Sequence, residues 1–219
     1  RASLLTGTYP HQAGIGHMMG NYGISQYQGK LSYNVITIPE VLKKAGYSTI
    51  MSGKWHLTKN DLDQWPLKRG FDNFYGLISG AANYFKSEYP GLIFEGNEKL
   101  NIDDENYYTT DAFTDKAIEY IDKVKSENSE KPFFLYLSYN APHWPLQAPK
   151  ENIDKYRGNY MKGWENLREE RYKRMIEMGL IDSSWDLSYD DIVSWDSLSK
   201  GKREEMDLRM AIYAAMIDR

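Results

Sequence analysis

The 219 residues contain no cysteine, so disulfide bonds and thiolate metal sites within them are excluded. No apolar run approaches the ~20 residues that a membrane-spanning helix requires, and no lipidation motif is present. The 27 basic and 31 acidic residues give a net charge of −4, and no basic block offers a footprint for a nucleic-acid backbone. We therefore expect no nucleic-acid binding and no membrane span in these residues.

The composition is that of a globular protein, with 41% hydrophobic and 26% charged residues. The length is sufficient for one sizeable core. The sequence opens on Arg1 without a signal peptide, and it closes at Arg219 inside a helical pattern that has no C-cap. We expect residues 1–219 to be an internal segment of a longer protein, part of one domain that is cut at both ends.

Predicted helices and strands alternate along the chain. A capping box at residues 37–40 begins a helix that Gly46 ends, and residues 47–52 have the composition of a short strand. A second helix is predicted over 111–125. Residues 133–137 form a continuous apolar run, which is typical of a parallel strand buried on both faces. The alternation predicts an α/β fold with a mostly parallel sheet.

The remaining segments are more polar. Residues 60–110 are rich in glycine, asparagine, aspartate and tyrosine, and they predict long loops with a hairpin over the carboxyl edge of the sheet. Residues 150–200 are charged, with a helix predicted around 164–178. Apolar residues at three- and four-residue steps predict a final helix over 200–219.

Open parallel sheets bind ligands beyond the carboxyl ends of their strands, and two groups of side chains fall there. Lys54 and His56 follow the first strand. In extended chain, residues two apart project to the same side, so these two aim together while Trp55 turns away. His143 follows the strand at 133–139, between two prolines that fix the backbone φ.

Two histidines and a lysine at one edge, with no acidic motif beside them, predict a cationic pocket for a tetrahedral oxyanion. In the hydrolysis of a sulfate or phosphate ester, charge builds on the leaving oxygen, which a cation or general acid stabilises. Residue types alone leave ordinary alternatives open. A lone histidine after a strand is more often a surface group, Lys54 can be a solvated charge, and the tryptophans can be packing. We assign His11 and His17 to loop hydrogen bonds.

Several segments resemble the type I sulfatases, the formylglycine-dependent, arylsulfatase-like family of the alkaline phosphatase superfamily. Residues 1–7, Arg-Ala-Ser-Leu-Leu-Thr-Gly, resemble the second half of the nucleophile signature Cys/Ser-x-Pro-x-Arg-x-x-Leu-Leu-Thr-Gly. Residues 46–56, which end in Gly-Lys-Trp-His, resemble the whole second signature. The other segments that resemble the family are 70–76, 131–136, 141–149, 155–180 and 213–216.

The resemblance implies an alkaline-phosphatase-like three-layer sandwich around a mostly parallel sheet, incomplete here, within the N-terminal catalytic domain. It implies a formylglycine nucleophile four positions before Arg1, outside the chain. Arg1 would orient that group and neutralise its charge, and Lys54 would contact the nucleophile and the sulfate oxygens. His56 would accept the proton that lets the hemiacetal collapse. His143 would bind sulfate and help protonate the leaving alcohol. Apart from the resemblance, the residue type makes Trp144 a candidate substrate contact that stacks on an aromatic or sugar ring, with structural packing as the alternative.

The same resemblance implies a calcium ion whose ligands all lie outside residues 1–219, and maturation by a formylglycine-generating or anaerobic sulfatase-maturing enzyme. It implies export to the periplasm or the cell exterior, and inactivity of the 219 residues alone. The predicted substrate is an aryl sulfate or a sulfated carbohydrate. Two alternatives stay open: a phosphodiesterase or phosphonate monoester hydrolase of the same superfamily, and a non-catalytic pseudo-sulfatase.

Overall fold

The computed structural model describes residues 1–58, 61–88, 91–188 and 191–219. The chain divides into two compact units, Arg1–Pro145 and Leu146–Arg219. The predicted loop segment 60–110 includes residues 60, 89 and 90, and the predicted charged segment 150–200 includes residues 189 and 190. These positions lie outside the described residues. That both units belong to one catalytic domain stays a prediction.

The first unit is an α/β unit built on a five-stranded sheet of order β4-β3-β2-β1-β5. The central strand β1 pairs in parallel with β2 on one side and β5 on the other, whereas β3 and β4 are antiparallel additions beyond β2. Its helices and strands are α1 (Ala2–Thr6), α2 (Ile38–Lys44), β1 (Ser48–Lys54), β2 (Asn73–Leu77), β3 (Ile93–Glu95), β4 (Glu98–Lys99), α3 (Thr109–Glu127) and β5 (Phe133–Ser138).

The second unit is helical in the residues described. Its helices are α4 (Lys150–Asp154), α5 (Trp164–Glu177) and α6 (Lys200–Asp218). The predicted helices at 164–178 and 200–219 are confirmed. Asp207 of α6 is buried and accepts the backbone N–H groups of Gly158 and Tyr160 at 3.0 and 3.1 Å, while pairing with Arg157 at 3.0 Å. Within the described ranges, no helix combines the length and apolarity that a bilayer crossing demands.

Alternating side chains give the sheet two apolar faces. Met51 of β1 and Phe74 of β2 are register partners in one buried cluster, which also includes Leu5 of α1. Their chain neighbours Ile50 and Tyr75 belong to the other cluster, which α3 covers. This alternation is the period of two expected of strands. The core therefore lies on both sides of β1 and β2.

The predicted mainly parallel α/β fold is confirmed, and two expectations about single segments are wrong. The segment 60–110 is not only loops and a hairpin, because it also contributes β2, a nearly completely buried strand beside β1. The predicted hairpin exists as β3 and β4. The strand β5 is not buried on both faces: five of its six residues are half-buried, since it is the edge strand of the described sheet.

The predicted capping box begins α2. The Thr37 hydroxyl accepts the N–H of Glu40 at 3.3 Å, and the Glu40 carboxylate accepts the N–H of Thr37 at 2.7 Å. The same hydroxyl donates to the carbonyl of Arg69 at 2.8 Å, and the Arg69 guanidinium pairs with Glu40 at 3.0 Å. Thr37 is fully buried, so this hydroxyl joins the start of α2 to the turn before β2.

We expect Thr37→Ala to lower the free energy of unfolding by ~1–2 kcal/mol, because the cap is lost and a buried carbonyl loses its donor. Urea unfolding followed by circular dichroism measures the change. Thr37→Ser is the matched control, since it keeps the hydroxyl and should retain most of the stability. Equal stability of the alanine variant and the parent would contradict the structural role of this hydroxyl.

Candidate active site

The carboxyl ends of β1, β2 and β5 meet at one edge of the sheet because the three strands run in the same direction. Lys54 is the last residue of β1, and His56 follows two residues later. Gly80 lies three residues beyond β2, and His143 lies five residues beyond β5. The structure therefore places the predicted side chains in loops at a single edge, where such sheets bind ligands.

The buried ammonium of Lys54 is anchored to the loop after β2. Its Nζ donates to the carbonyl of Gly80 at 2.5 Å, and only 7% of the residue is exposed. Burial, followed by the positive charge of Arg1, lowers the pKa of Lys54 from 10.5 to about 8. Lys54 is thus a held cation near neutral pH, not a solvated surface charge.

Arg1 connects the ends of β1 and β5. Its guanidinium donates to the carbonyl of Lys54 at 2.8 Å, to the hydroxyl of Tyr136 at 3.2 Å and to the carbonyl of Tyr139 at 3.2 Å. The Lys54 carbonyl also accepts the Ser138 hydroxyl at 2.7 Å. A planar guanidinium with several fixed acceptors has a defined direction, so the positive group of Arg1 is held at the carboxyl edge of the sheet.

His56 departs from the extended geometry that the sequence analysis assumed. The strand ends at Lys54, and His56 has a φ of 54° in the left-handed region, which is uncommon for residues other than glycine and concentrates at functional sites. Two backbone bonds hold this turn: Trp55 N donates to Leu77 O at 2.8 Å, and His56 N donates to Ile78 O at 3.1 Å. The continued pairing with the end of β2 therefore sets the direction of His56.

Trp55 turns away from the edge, as the sequence predicts. Its side chain is fully buried, its indole N–H donates to the carbonyl of Gln64 at 2.9 Å, and its ring packs edge-on against Phe71. Trp55 is thus a packing residue that fixes the chain between Lys54 and His56.

The imidazole of His56 is a neutral base near pH 7. Burial is the largest cause that lowers its pKa, followed by the charges of Lys54, Arg1, His143 and the amino group of residue 1, and together they bring it to about 4. Because the neutral form has a free ring nitrogen, His56 can accept a proton at neutral pH. The charge of His143 contributes to this shift, so the two imidazoles lie close enough to interact electrostatically.

The backbone of His143 is fixed on both sides although its side chain is exposed. Its N–H donates to the carbonyl of Asn140 at 2.9 Å, and its carbonyl accepts the hydroxyl of Tyr84 at 2.7 Å. Its Nδ1 lies 2.7 Å from the carbonyl of Trp144, so the proton of the neutral ring is assigned to Nδ1. Tyr84 is fully buried and thus braces this loop from the core.

Trp144 is 71% exposed, which leaves its ring open to a ligand; its predicted contact with substrate stays a prediction. A cavity of about 220 Å³ is lined by Arg1 and His56, with Ile15, Met18 and Met19 among its other lining residues.

The contacts found for the other two histidines, His11 and His17, are with residues other than Arg1, Lys54, His56 and His143. His11 packs edge-on against Tyr27, and His17 Nδ1 lies 3.2 Å from the carbonyl of Met18. The loop hydrogen bond predicted for His17 is present, whereas the contact found for His11 is aromatic. Neither observation assigns them a chemical role.

A comparison with protein families identifies the group to which this arrangement belongs. The model of the sulfatase family matches residues 1–208. The chain belongs to the sulfatase family. An uncharacterized sulfatase of Schizosaccharomyces pombe is 36% identical over 241 residues, covering 100% of this chain and 43% of that protein. An arylsulfatase of Klebsiella aerogenes is 31% identical over 229 residues, covering 99% of this chain and 48% of that protein. The sulfatase chain thus spans less than half the length of these two relatives.

Solved structures share the fold. The crystal structure of Ps i-CgsB in complex with k-i-k-neocarrahexaose has a TM-score of 0.62 and 25% identity, covering 99% of this chain and 40% of that one. The PsFucS1 sulfatase from Pseudoalteromonas sp. has a TM-score of 0.53 and 20% identity, covering 70% of this chain and 36% of that one. The alkaline-phosphatase-like fold predicted for this sulfatase chain is confirmed.

The described part of the sulfatase chain does not by itself fit a divalent cation. It contains no group of three or more histidine, cysteine, aspartate or glutamate side chains placed to hold a metal. Arg1 and Lys54 bring positive charge to the edge, whereas calcium and magnesium require several oxygen ligands. No step proposed below depends on these residues holding a cation.

Three positions at the edge were missed by the sequence analysis. Tyr84 and Gly80 lie in the segment predicted as loops, and Tyr136 lies in a strand predicted as pure core. No local sequence pattern around these three residues indicates the polar contacts that they make. The family-like segment Gly-Phe-Asp-Asn-Phe-Tyr-Gly, at 70–76, overlaps β2 but contains none of these three residues.

We expect the His56 imidazole to titrate well below the ordinary value of about 6.5, measured by NMR on the full-length protein and assigned with His56→Gln. Lys54→Met should raise that midpoint, because one of the charges that disfavours the imidazolium is removed. Lys123→Met, on the exposed side of α3, is the control and should leave it unchanged. A His56 midpoint near the ordinary value of about 6.5 would contradict the buried, cation-flanked site.

Proposed function

We propose that the protein containing this chain is a sulfatase that hydrolyses sulfate esters at the carboxyl edge of β1 and β5. The observation that carries the proposal is the convergence of Arg1, Lys54, His56 and His143 at this edge. Family membership and the arylsulfatase relative support the same reaction class. The roles proposed for these four side chains are those that the family resemblance implies, and their contacts support them.

Lys54 and Arg1 supply the positive charge that a sulfate ester requires. The Lys54 ammonium is buried and held by one backbone acceptor, which leaves two of its three N–H donors for sulfate oxygens. The Arg1 guanidinium is fixed beside it. Because both charges are in place before the substrate arrives, little reorganisation accompanies the build-up of negative charge in the transition state.

His143 is proposed to act on the leaving alcohol. With Nδ1 donating to Trp144 O, the imidazolium form directs the second proton, on Nε2, outward. A deprotonated nucleophile oxygen would bond to sulfur as the bond from sulfur to the ester oxygen breaks. His143 Nε2 would give its proton to the ester oxygen, which leaves as the alcohol.

His56 is proposed to act in the second half of the reaction. Following the family resemblance, a formylglycine upstream of Arg1 would supply the nucleophilic hydroxyl and a carbonyl-based route for the release of sulfate. His56 is neutral at pH 7 and would accept the hydroxyl proton whose removal lets sulfate depart.

The resemblance supplies the remaining parts of the proposal. Calcium would be held by ligands outside residues 1–219, and a formylglycine-generating or anaerobic sulfatase-maturing enzyme would convert the nucleophile residue. Export to the periplasm or the cell exterior belongs to the same proposal. The 219 residues alone are expected to be inactive because nucleophile and cation ligands lie elsewhere.

The proposed substrate is an aryl sulfate or a sulfated carbohydrate. The relative named as an arylsulfatase supports the first class, and Ps i-CgsB, solved with a neocarrahexaose, supports the second. The exposed ring of Trp144 adjoins His143 in the chain and offers a surface on which a sugar or aryl ring can stack. Trp144 would then contact the leaving group and not the sulfate.

The direct test compares an aryl sulfate with an aryl phosphate diester, using the full-length protein after maturation and with calcium present. We expect a strong preference for the sulfate ester. Preference for the phosphate diester would move the protein to the phosphodiesterase alternative. Turnover of neither ester, or of any sulfated sugar in a panel, would favour the pseudo-sulfatase alternative.

We expect His143→Ala to lower kcat by about two to four orders of magnitude on an alkyl or sugar sulfate, the scale of a positioned general acid. The loss should be smaller on a nitrophenyl sulfate, whose leaving group needs less protonation. Steady-state rates on both esters measure this difference. An equal loss on both substrates would remove the general-acid role from His143, and an unchanged rate would remove His143 from the mechanism.

We expect kcat/KM to fall as pH rises through about 8, because deprotonated Lys54 no longer neutralises the sulfate. Lys54→Arg should abolish this alkaline limb, since a guanidinium keeps its proton throughout that range, even where the absolute rate is lower. Lys123→Arg is the control and should retain the limb. An alkaline limb at the same pH in Lys54→Arg would assign it to another group.

A further inference from the structure

We propose that Gly80 is a positioning residue that orients the His56 imidazole while its carbonyl anchors the Lys54 ammonium. The catalytic consequence rests on the proposed function, whereas the placement of the ring does not. Gly80 lies in the loop after β2, three residues beyond the end of that strand. This one residue after β2 therefore adjoins two side chains at the end of β1, those of Lys54 and His56.

The first contact is with Lys54. The Gly80 carbonyl accepts the Lys54 ammonium at 2.5 Å. Lysine carries four side-chain torsions whose ordering costs conformational entropy, so a fixed acceptor is needed to hold the ammonium in one direction. The acceptor is a backbone atom, and any residue at position 80 can provide it. This contact alone does not account for a glycine.

The second contact does account for it. A Cβ atom at position 80 would lie 2.6 Å from both Cε1 and Nε2 of His56 and 3.2 Å from Cδ2. The outer edge of the imidazole thus occupies the space that every other amino acid would fill with its side chain. Carbon atoms in van der Waals contact lie ~3.5–4.0 Å apart, so an added methyl group and the present ring position are incompatible.

The backbone does not require glycine here. Gly80 is not among the residues with positive φ, so an L-residue can adopt its conformation, in contrast to the glycines of tight turns. The atoms that an added Cβ meets first belong to the far end of a side chain and not to backbone. Alanine at position 80 should therefore leave the fold intact and move the His56 ring.

This predicts a selective defect in Gly80→Ala. The Lys54 anchor is retained because the carbonyl remains, so sulfate binding and release of the alcohol should continue. The displaced imidazole no longer reaches the hydroxyl proton of the sulfated intermediate, and its collapse should slow. A misplaced catalytic group costs ~10²-fold in rate. The variant should thus accumulate the sulfated form.

The experiment measures pre-steady-state and steady-state hydrolysis of an aryl sulfate by the full-length, matured protein. For Gly80→Ala we expect kcat to fall about 100-fold, kcat/KM to stay within a few-fold of the parent, and a burst of alcohol close to one per active site. Gly201→Ala, at a helical glycine with open space around the added Cβ, is the matched control and should behave like the parent.

A double variant separates positioning from a general structural role. If Gly80 acts through His56, Gly80→Ala combined with His56→Ala should be no slower than His56→Ala alone, because the clash partner is gone. If Gly80→Ala fails to fold, the double variant should recover the folded state for the same reason. Additive losses in the cycle, a parent-like kcat in Gly80→Ala, or a double variant that remains unfolded would each overturn the proposal.

A measurement independent of activity distinguishes failure of the positioning role of Gly80 from failure of the proposed sulfatase function. NMR titration of His56 in Gly80→Ala should show a pKa higher than in the parent, since the displaced ring is less desolvated. An unchanged His56 titration would overturn the positioning role. A parent protein without sulfatase activity would overturn the proposed function and leave the ring placement to be judged by this titration.

Discussion

The parallel pairing of β1 with both of its neighbours is the constraint on which the site depends. It brings three strand ends to one edge, and it requires unusually close backbone approach there. A Cβ on Gly53 would lie 2.2 Å from the Ser138 carbonyl, and one on Gly76 would lie 1.9 Å from the Gly53 carbonyl. Both glycines have positive φ, at 115° and 149°. The strands can therefore run side by side to the edge only with glycine at these register positions.

That packing concentrates positive charge in a partly desolvated place. Arg1 and Lys54 both lower the tendency of His56 to accept a proton, and Arg1 does the same to Lys54. Such a cluster is unfavourable without an anion, because burial and neighbouring positive charges both destabilise the charged form of each side chain. The structure tolerates it by giving each cation fixed backbone acceptors. A bound sulfate ester would relieve the repulsion, and this gives substrate affinity a physical origin.

Much of the fold was predictable from sequence because its signals are local. The capping box at Thr37, the helical period in α3 and the apolar run of β5 each specify their element without reference to distant residues. The strand β2 was missed because its five residues, with a glycine inside, are too short for a period to emerge. The edge position of β5 was also missed, since an apolar run cannot tell how many neighbours a strand has.

The site was predictable to the level of its residues but not of its geometry. Strand position and residue type located Lys54, His56 and His143, and the family resemblance added Arg1 and the proposed roles. The left-handed backbone of His56, the bracing of His143 by Tyr84 and the contacts of Gly80 depend on residues far apart in sequence. No local pattern marks such contacts, because they arise only when the strand ends meet.

The proposed function requires sulfate to bind where these side chains meet. The first experiment is a crystal structure of the full-length, matured protein with bound sulfate, the product. We expect a sulfate oxygen within hydrogen-bonding distance of Lys54 Nζ, with the His143 ring on the side where an alcohol would leave. Sulfate bound elsewhere at full occupancy, with this edge empty, would contradict it.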